Sequence, residues 1–472
     1  MEIKFGTGGF RGVIGDDFTK DTVIIIAQAL SNIINEQNFK KEIVLGYDYR
    51  FLSNETSVWM SEVFSGNDIK VRLLNSASPS PTVMHLTEKF DLDLGVMITA
   101  SHNPYKFNGV KVFTKGGYDA DVEFTNLVEH EIAKVTDIKS IDFKKATKEK
   151  IVTEFDGVTP YVQNIIKFTN AKIDKGLRIA FDNLNGVSYI AFKQIIDHYK
   201  LENVLTLNSK RDALFNGKMP NPIESNLDTL KKIVVEDKYD IGFATDSDGD
   251  RLGLIDEEGN YVSSNEILAA LYYYLVKYHN QKGDIVKNLA TSNLIDMIAN
   301  KLGFKCHEVD VGFKNITHTM AKYDCLIGGE SSGGLTIRGY VHGKDSVFAI
   351  TLFLAMMSEI KKPVSEIIKE VREFSGYKQF VIEDFISYKK ENEGKILDFL
   401  NKNKPPFALE VKKMENYGRN YKYYFEDNQW ILIRLSGTEP VFRIFSEMND
   451  EKMAKEDILR LNKFVGNIEN GI

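Results

Sequence analysis

Four short polar clusters in this 472-residue chain hold residue types capable of chemistry, and each follows or closes an apolar run. The first is Thr99-Ala100-Ser101-His102-Asn103-Pro104, after Leu92 to Ile98. A serine hydroxyl at the lip of a strand, beside an imidazole, suits covalent catalysis once a neighbour or a metal activates it. An ordinary strand-to-turn junction has the same composition, with its polar groups satisfying the backbone. Upstream, Phe5-Gly6-Thr7-Gly8-Gly9-Phe10-Arg11-Gly12 offers close backbone approach and one guanidinium to an anion. Downstream lie Lys106, Asn108, Gly109 and Lys111. Two lysines near a nucleophile could hold an anion or act as acid and base, and a solvated loop would look alike.

The second cluster is Asp246-Ser247-Asp248-Gly249-Asp250-Arg251. Carboxylates at alternate positions are hard oxygen ligands suited to Mg²⁺. An EF-hand loop needs glycine at its sixth position, where this chain has Arg251, and a helix before it, where this chain has a strand-like run. Three close carboxylates repel one another, so a bound cation explains them better than a bare acidic turn. In the third cluster, Gly328-Gly329-Glu330-Ser331-Ser332-Gly333-Gly334, glycines allow a tight loop while Glu330, Ser331 and Ser332 can hydrogen-bond a polyol. Lys314, one strand–helix unit upstream, could reach the same cleft. The fourth, Arg434-Leu435-Ser436-Gly437-Thr438-Glu439-Pro440 with Arg443, has donors between two guanidinium groups and suits a phosphate.

The elements that must position these clusters alternate. Strand-like runs at 43–48, 92–98, 178–182 and 240–244 are separated by helical stretches at 19–37, 81–90, 187–199 and 264–278, a pattern of βαβ units. The last hundred residues differ, with strand-like 380–386, 422–425 and 430–435, a turn at Asp427-Asn428 and helices near 391–401 and 453–465. The expected fold is three related mixed-sheet α/β domains and a C-terminal α+β domain with an antiparallel sheet, round a central cleft. Charged and turn-rich segments place boundaries near 1–150, 151–257, 258–374 and 375–472. Such a length supports three or four cores. Lys and Arg total 60 against 67 Asp and Glu, a net charge of −7, which argues against nucleic acid as a partner. Two cysteines build no disulfide framework and fit a reducing compartment. The start, Met-Glu-Ile-Lys-Phe-Gly, has no signal-peptide core. The longest apolar runs, 23–30 and 347–357, are too short to span a bilayer and read as buried helices. A cytoplasmic protein without a membrane partner is expected.

Together and in this order, the clusters resemble the α-D-phosphohexomutase family of phosphoglucomutases and phosphomannomutases. Gly6 to Gly12 resembles its N-terminal signature, Thr99 to Pro104 its phosphoserine loop, and Asp246 to Arg251 its metal loop. Gly329 to Gly334 resembles its sugar loop and Arg434 to Pro440 its phosphate loop; Pro220-Asn221-Pro222 also recurs there. The resemblance implies that Ser101 carries the phosphoryl group and that Asp246, Asp248 and Asp250 bind Mg²⁺ together with that phosphoserine, with Arg251 beside them. Arg11, His102 and Lys111 would line the reaction centre, Lys111 as acid or base. Glu330 and Ser332 would grip sugar hydroxyls, while Arg434, Ser436, Gly437, Thr438 and Arg443 hold the phosphate that is not transferred. A hexose 1,6-bisphosphate would serve as intermediate and activator, on a monomer or homodimer. Glucose phosphates, then mannose phosphates, are the expected substrates. Glucosamine or pentose phosphates, and a non-catalytic sensor, are the rivals. Two departures leave the sugar open: Gly334 stands where some members have histidine, and Ser331 where others have a second glutamate. His342 is a further candidate imidazole.

Overall fold

The computed structural model describes residues 3–6, 9–402, 404–435 and 440–470. They form four sheets. The first has eight strands, in the order Phe5–Gly6, Gly9–Val13, Phe107–Thr114, Leu94–Ile98, Glu42–Tyr47, Lys70–Leu74 and Val152–Phe155, with Tyr118–Asp119 beside Phe107–Thr114. The second runs Asn203–Leu207, Arg178–Asp182, Ile241–Thr245, Leu252–Asp256, Tyr261–Val262. The third is Cys306–Val309, Ile285–Asn288, Ile327–Gly329, Leu335–Ile337.

These three sheets share one device. Parallel strands joined through helices end in a strand whose successor turns straight back antiparallel: Leu94–Ile98 onto Phe107–Thr114, Ile241–Thr245 onto Leu252–Asp256, and Ile327–Gly329 onto Leu335–Ile337. A crossover helix buries a parallel strand on both faces, whereas a hairpin return leaves its connecting loop at the sheet's end, open to a cleft. Each of the three α/β clusters is that loop. The fourth sheet is antiparallel throughout: Phe380–Ser387, Val441–Met448, Trp430–Leu435, Asn420–Tyr424, Lys413–Tyr417.

Thr19 caps the helix Lys20–Glu36, its hydroxyl accepting from the amide of Thr22, as the expected start near 19 requires. The apolar run after Asp345 becomes the helix Ser346–Ile360, buried from Ser346 to Met357 inside a core that joins all three α/β sheets. The fourth sheet packs Ile431, Ile433 and Ile444 against its own helices in a separate core. No described helix is long and apolar enough to cross a membrane. Two strands fall across the expected boundaries. Val152–Phe155 completes the first sheet beyond residue 150, and Tyr261–Val262 completes the second beyond 257. Charge-rich surface segments lie just before both and drew the boundaries too early.

Candidate active site

Ser101 sits where the first two sheets meet. It is 1% exposed, and its φ of +49° lies in the left-handed region that few non-glycine residues enter. Its hydroxyl donates to Oδ2 of Asp246, 2.9 Å away, and lies 3.4 Å from His102 Nδ1. Burial lowers the pKa of His102 well below its ordinary value, and Arg251, Arg11 and Arg443 push the same way, so the imidazole is uncharged. Arg11 comes from the neighbouring strand Gly9–Val13 and donates to Asn103 Oδ1 at 2.6 Å.

Asp246, Asp248 and Asp250 are all buried, and each offers a carboxylate oxygen within 4.8 Å of the others. Asp246 Oδ1 accepts the backbone amides of Asp250 and Arg251, which curls the loop around that carboxylate. Gly249 makes the curl possible: its φ is +71°, and a Cβ there would lie 2.6 Å from Ser188 Oγ. Lys111 reaches Asp248 Oδ2 at 2.6 Å and Asp250 Oδ2 at 2.9 Å, while Ser80 Oγ donates to Asp248 at 2.6 Å. Asp248 Oδ1 and Asp250 Oδ1 are buried with no hydrogen-bond partner. Buried acceptors without donors are costly. Two such oxygens beside Ser101 Oγ, in an all-oxygen donor set, fit a hard divalent cation such as Mg²⁺. The trio does not share charge evenly. Burial opposes ionisation of Asp250, but Lys111, Lys344 and Arg251 outweigh it and hold its pKa low. Asp246 is raised, by burial first and then by its two neighbours.

Lys111, the expected acid or base, is paired here with two of the carboxylates. Burial favours its neutral form, yet Asp248 and Asp250 overcome that and raise its pKa.

In the third cluster Ser332 Oγ donates to Glu330 Oε1, and Asn288 Nδ2 donates to Oε2 at 3.1 Å. Lys344, which the sequence reading passed over, stands between two clusters: its Nζ lies 3.4 Å from Asp250 Oδ2 and 3.7 Å from Glu330 Oε1. Gly334 makes room for it, since a Cβ there would come within 2.0 Å of Lys344 Cδ. A histidine at 334 would displace Lys344 from this position. His342 stacks instead on Tyr118, centroids 4.1 Å apart. Lys314 is buried, and burial lowers its pKa while Asp121 and Asp119 oppose the shift.

Arg434 and Arg443 are directly opposite each other on adjacent strands of the fourth sheet. Burial lowers the Arg434 pKa, and repulsion from Arg443 adds to it while Glu330 opposes, so the pair faces the sugar cluster. Ser436, Gly437 and Thr438 lie outside the described residues.

Three stretches match the domains described as phosphoglucomutase/phosphomannomutase alpha/beta/alpha domain I at 2–139, domain II at 159–259 and domain III at 263–374. The chain belongs to the phosphoglucomutase/phosphomannomutase family. It is therefore a phosphomutase, an intramolecular phosphotransferase acting on sugar phosphates. Among curated family members, the phosphoglucomutase/phosphomannomutase of Thermococcus kodakarensis is 27% identical over 463 residues, covering 96% of both chains. The phosphoglucosamine mutase of Clostridioides difficile is 28% identical over 459 residues, covering 97% of both. A solved candidate phosphomannomutase from Thermus thermophilus superposes with a TM-score of 0.84 at 25% identity, covering 99% of each chain. The four-sheet architecture is that of this family.

Proposed function

We propose that this phosphomutase interconverts hexose 1-phosphate and hexose 6-phosphate, glucose first and mannose second, with Ser101 as phosphoryl carrier. One observation carries the reading: a buried serine hydroxyl 2.9 Å from a carboxylate trio that has two oxygens to spare. The Oγ–P bond of phosphorylated Ser101 breaks as a bond forms from phosphorus to one sugar hydroxyl, whose proton leaves. The resulting hexose 1,6-bisphosphate turns over and returns its other phosphoryl group to Ser101 Oγ.

Asp246, Asp248 and Asp250 would hold Mg²⁺, which supplies neutralising charge to the phosphoryl oxygens. Arg11 and Lys111 bring further positive charge to the same oxygens. A loose transition state asks little of a base. Lys111 is the group proposed to act as acid or base, and His102, its Nδ1 3.4 Å from Ser101 Oγ, positions the serine. Glu330 and Ser332 orient the sugar hydroxyls, and Arg434 with Arg443 holds the phosphate at rest. Because either end of the sugar must use that pair, a donor-rich sheet face serves better than a shaped pocket.

The phosphoglucosamine mutases among its relatives support glucosamine phosphate as a second reading. A coupled assay with glucose, mannose and glucosamine 1-phosphates, on wild type and Ser101→Ala, separates these. Activity on glucose 1-phosphate that Ser101→Ala lacks is the expected result. Undiminished activity in Ser101→Ala rejects the carrier, and preference for glucosamine 1-phosphate replaces the substrate.

A further inference from the structure

The loop bearing Ser101 is held from behind by a side chain that no substrate can touch. Arg50 has no exposed surface, and its guanidinium lies where four main-chain carbonyls of the loop converge. One terminal nitrogen donates to the carbonyls of Ser101 and Asn103, the latter at 2.7 Å. The other donates to those of Pro104 at 3.1 Å and Phe107 at 3.0 Å. Phe215 from the second α/β unit lies beneath, its ring centroid 4.9 Å from the guanidinium carbon. Ser247, inside the carboxylate cluster, also donates to the Ser101 carbonyl and lies 3.3 Å from Arg50.

The amide side of Ser101 is held by the same pair of charges. Asp48 Oδ2 lies 3.4 Å from Arg50 Nε and accepts the Thr99 hydroxyl at 2.7 Å. Thr99 Oγ1 in turn accepts the amide of Ser101 at 2.9 Å. A non-glycine residue in the left-handed region is strained, so this conformation persists only where surrounding bonds over-determine it. The guanidinium spreads five donors over a rigid planar fork that reaches all four carbonyls, whereas an ammonium gathers three donors on one nitrogen.

We propose that Arg50, acting with Asp48 and Thr99, is a positioning residue for phosphoryl transfer. It pins Ser101 in the conformation that aims Oγ at Asp246, and through Ser247 it locks the serine loop to the carboxylate loop. The inference rests on Ser101 being the phosphoryl carrier. Since Arg50 does not meet the sugar, its loss acts on kcat and leaves KM alone.

The test measures kcat, KM and phosphoryl uptake by Ser101 from glucose 1,6-bisphosphate in Arg50→Lys, Arg50→Ala, Thr99→Val and Ser101→Ala. Arg50→Lys is expected to lose about 100-fold in kcat with KM nearly unchanged, the scale of a small misplacement of reacting atoms. Added guanidinium should restore at least about tenfold to Arg50→Ala, because the lost hydrogen bonds are re-formed, and nothing to Ser101→Ala. Thr99→Val keeps the shape of the relay but cannot bond to the Ser101 amide, and is expected to lose about tenfold in kcat. It decides the matter if the Arg50 variants do not fold. Wild-type kcat in Arg50→Lys or in Thr99→Val overturns the inference, as does a loss confined to KM or a folded Arg50→Ala that guanidinium leaves inactive. Full activity in Ser101→Ala would instead overturn the carrier reading itself.

Discussion

On the proposed reading, the serine–carboxylate junction and the arginine face of the fourth sheet handle the same phosphate chemistry in opposite ways. At the junction, Ser101, Asp246, Asp248 and Asp250 are buried, and contacts join one α/β sheet to another: Ser101 to Asp246, Ser80 and Lys111 to Asp248. Arg434 and Arg443 instead stand half-buried in a row across the antiparallel sheet that runs from Asn420 to Phe385, which is 66% exposed. The fourth sheet has its own core and meets the rest through a small joint. Leu289 and Ala290 touch Trp430, Leu432 and Phe445 there. Lys422 pairs with Glu308 at 2.8 Å, and Glu447 accepts from Ser292, the amide of Asn293, Tyr377 and Trp430. Bond-making is thus built into a region that cannot shift without breaking a shared core. On the same reading, substrate holding is built on a sheet joined to the rest by that apolar patch and a few polar contacts, Asn420 with Asp310 at 2.7 Å among them, and the expected consequence is that it closes over the sugar and opens again for its reorientation.

The largest break in that contrast would come from Asp246→Asn. The amide keeps the shape at the carboxylate least tolerant of charge, so stability should stay within about 1 kcal/mol. Activity should fall on the order of 1000-fold through loss of cation charge at the transition state. Chelation of the wild type should mimic it and Mg²⁺ reverse it; activity indifferent to both would dissolve the distinction. Next, Arg434→Ala and Arg443→Ala should each raise KM by about 10- to 100-fold, the worth of a charge-assisted hydrogen bond to phosphate, with kcat little changed. A kcat loss with constant KM would move the arginines from holding to chemistry.

Glu447→Gln should cost about 1–3 kcal/mol and speed proteolysis of the linker between Ser375 and Gln379. Unchanged protection of that linker would mean that the joint is held elsewhere. The smallest effect concerns His85, on the rigid side, whose buried Nε2 has no partner. Burial, and then Lys89, push its pKa down from 6.5 to about 4. The folded value lies below the unfolded one, so this contribution is complete above pH 6.5 and fades as pH falls toward 4. That loss should reach about 3 kcal/mol at most and be absent in His85→Gln, measured by denaturant unfolding across that range.

Much of this architecture was legible in the residues, and what was missed shares one cause. Helices such as Lys20–Glu36 and Ser346–Ile360 announce themselves by a cap residue followed by an apolar run. The parallel strands do so by continuous β-branched stretches. The return strands Phe107–Thr114 and Val441–Met448 are hard to see because they carry the polar residues Asn108, Lys111, Arg443 and Glu447 within them, which interrupts the apolar signal. Leu252–Asp256 is apolar but was absorbed into an expected boundary. The clusters themselves could be read, since glycine, carboxylate and arginine are rarely gathered for packing. Their supports could not: Arg50 meets Asn103 and Ser247, and Lys344 meets Asp250, partners about 50 to 200 residues away, which no local spacing reveals.

The central claim is that Ser101 exchanges a phosphoryl group with the sugar from the rigid junction. Intact-mass spectrometry of the wild type and Ser101→Ala after incubation with glucose 1,6-bisphosphate and Mg²⁺ tests it most directly. The account predicts one added phosphoryl group, mapped to Ser101, discharged by glucose 1-phosphate and absent from the variant. A label on any other residue, or a wild type that turns over substrate while never carrying the group, would contradict it.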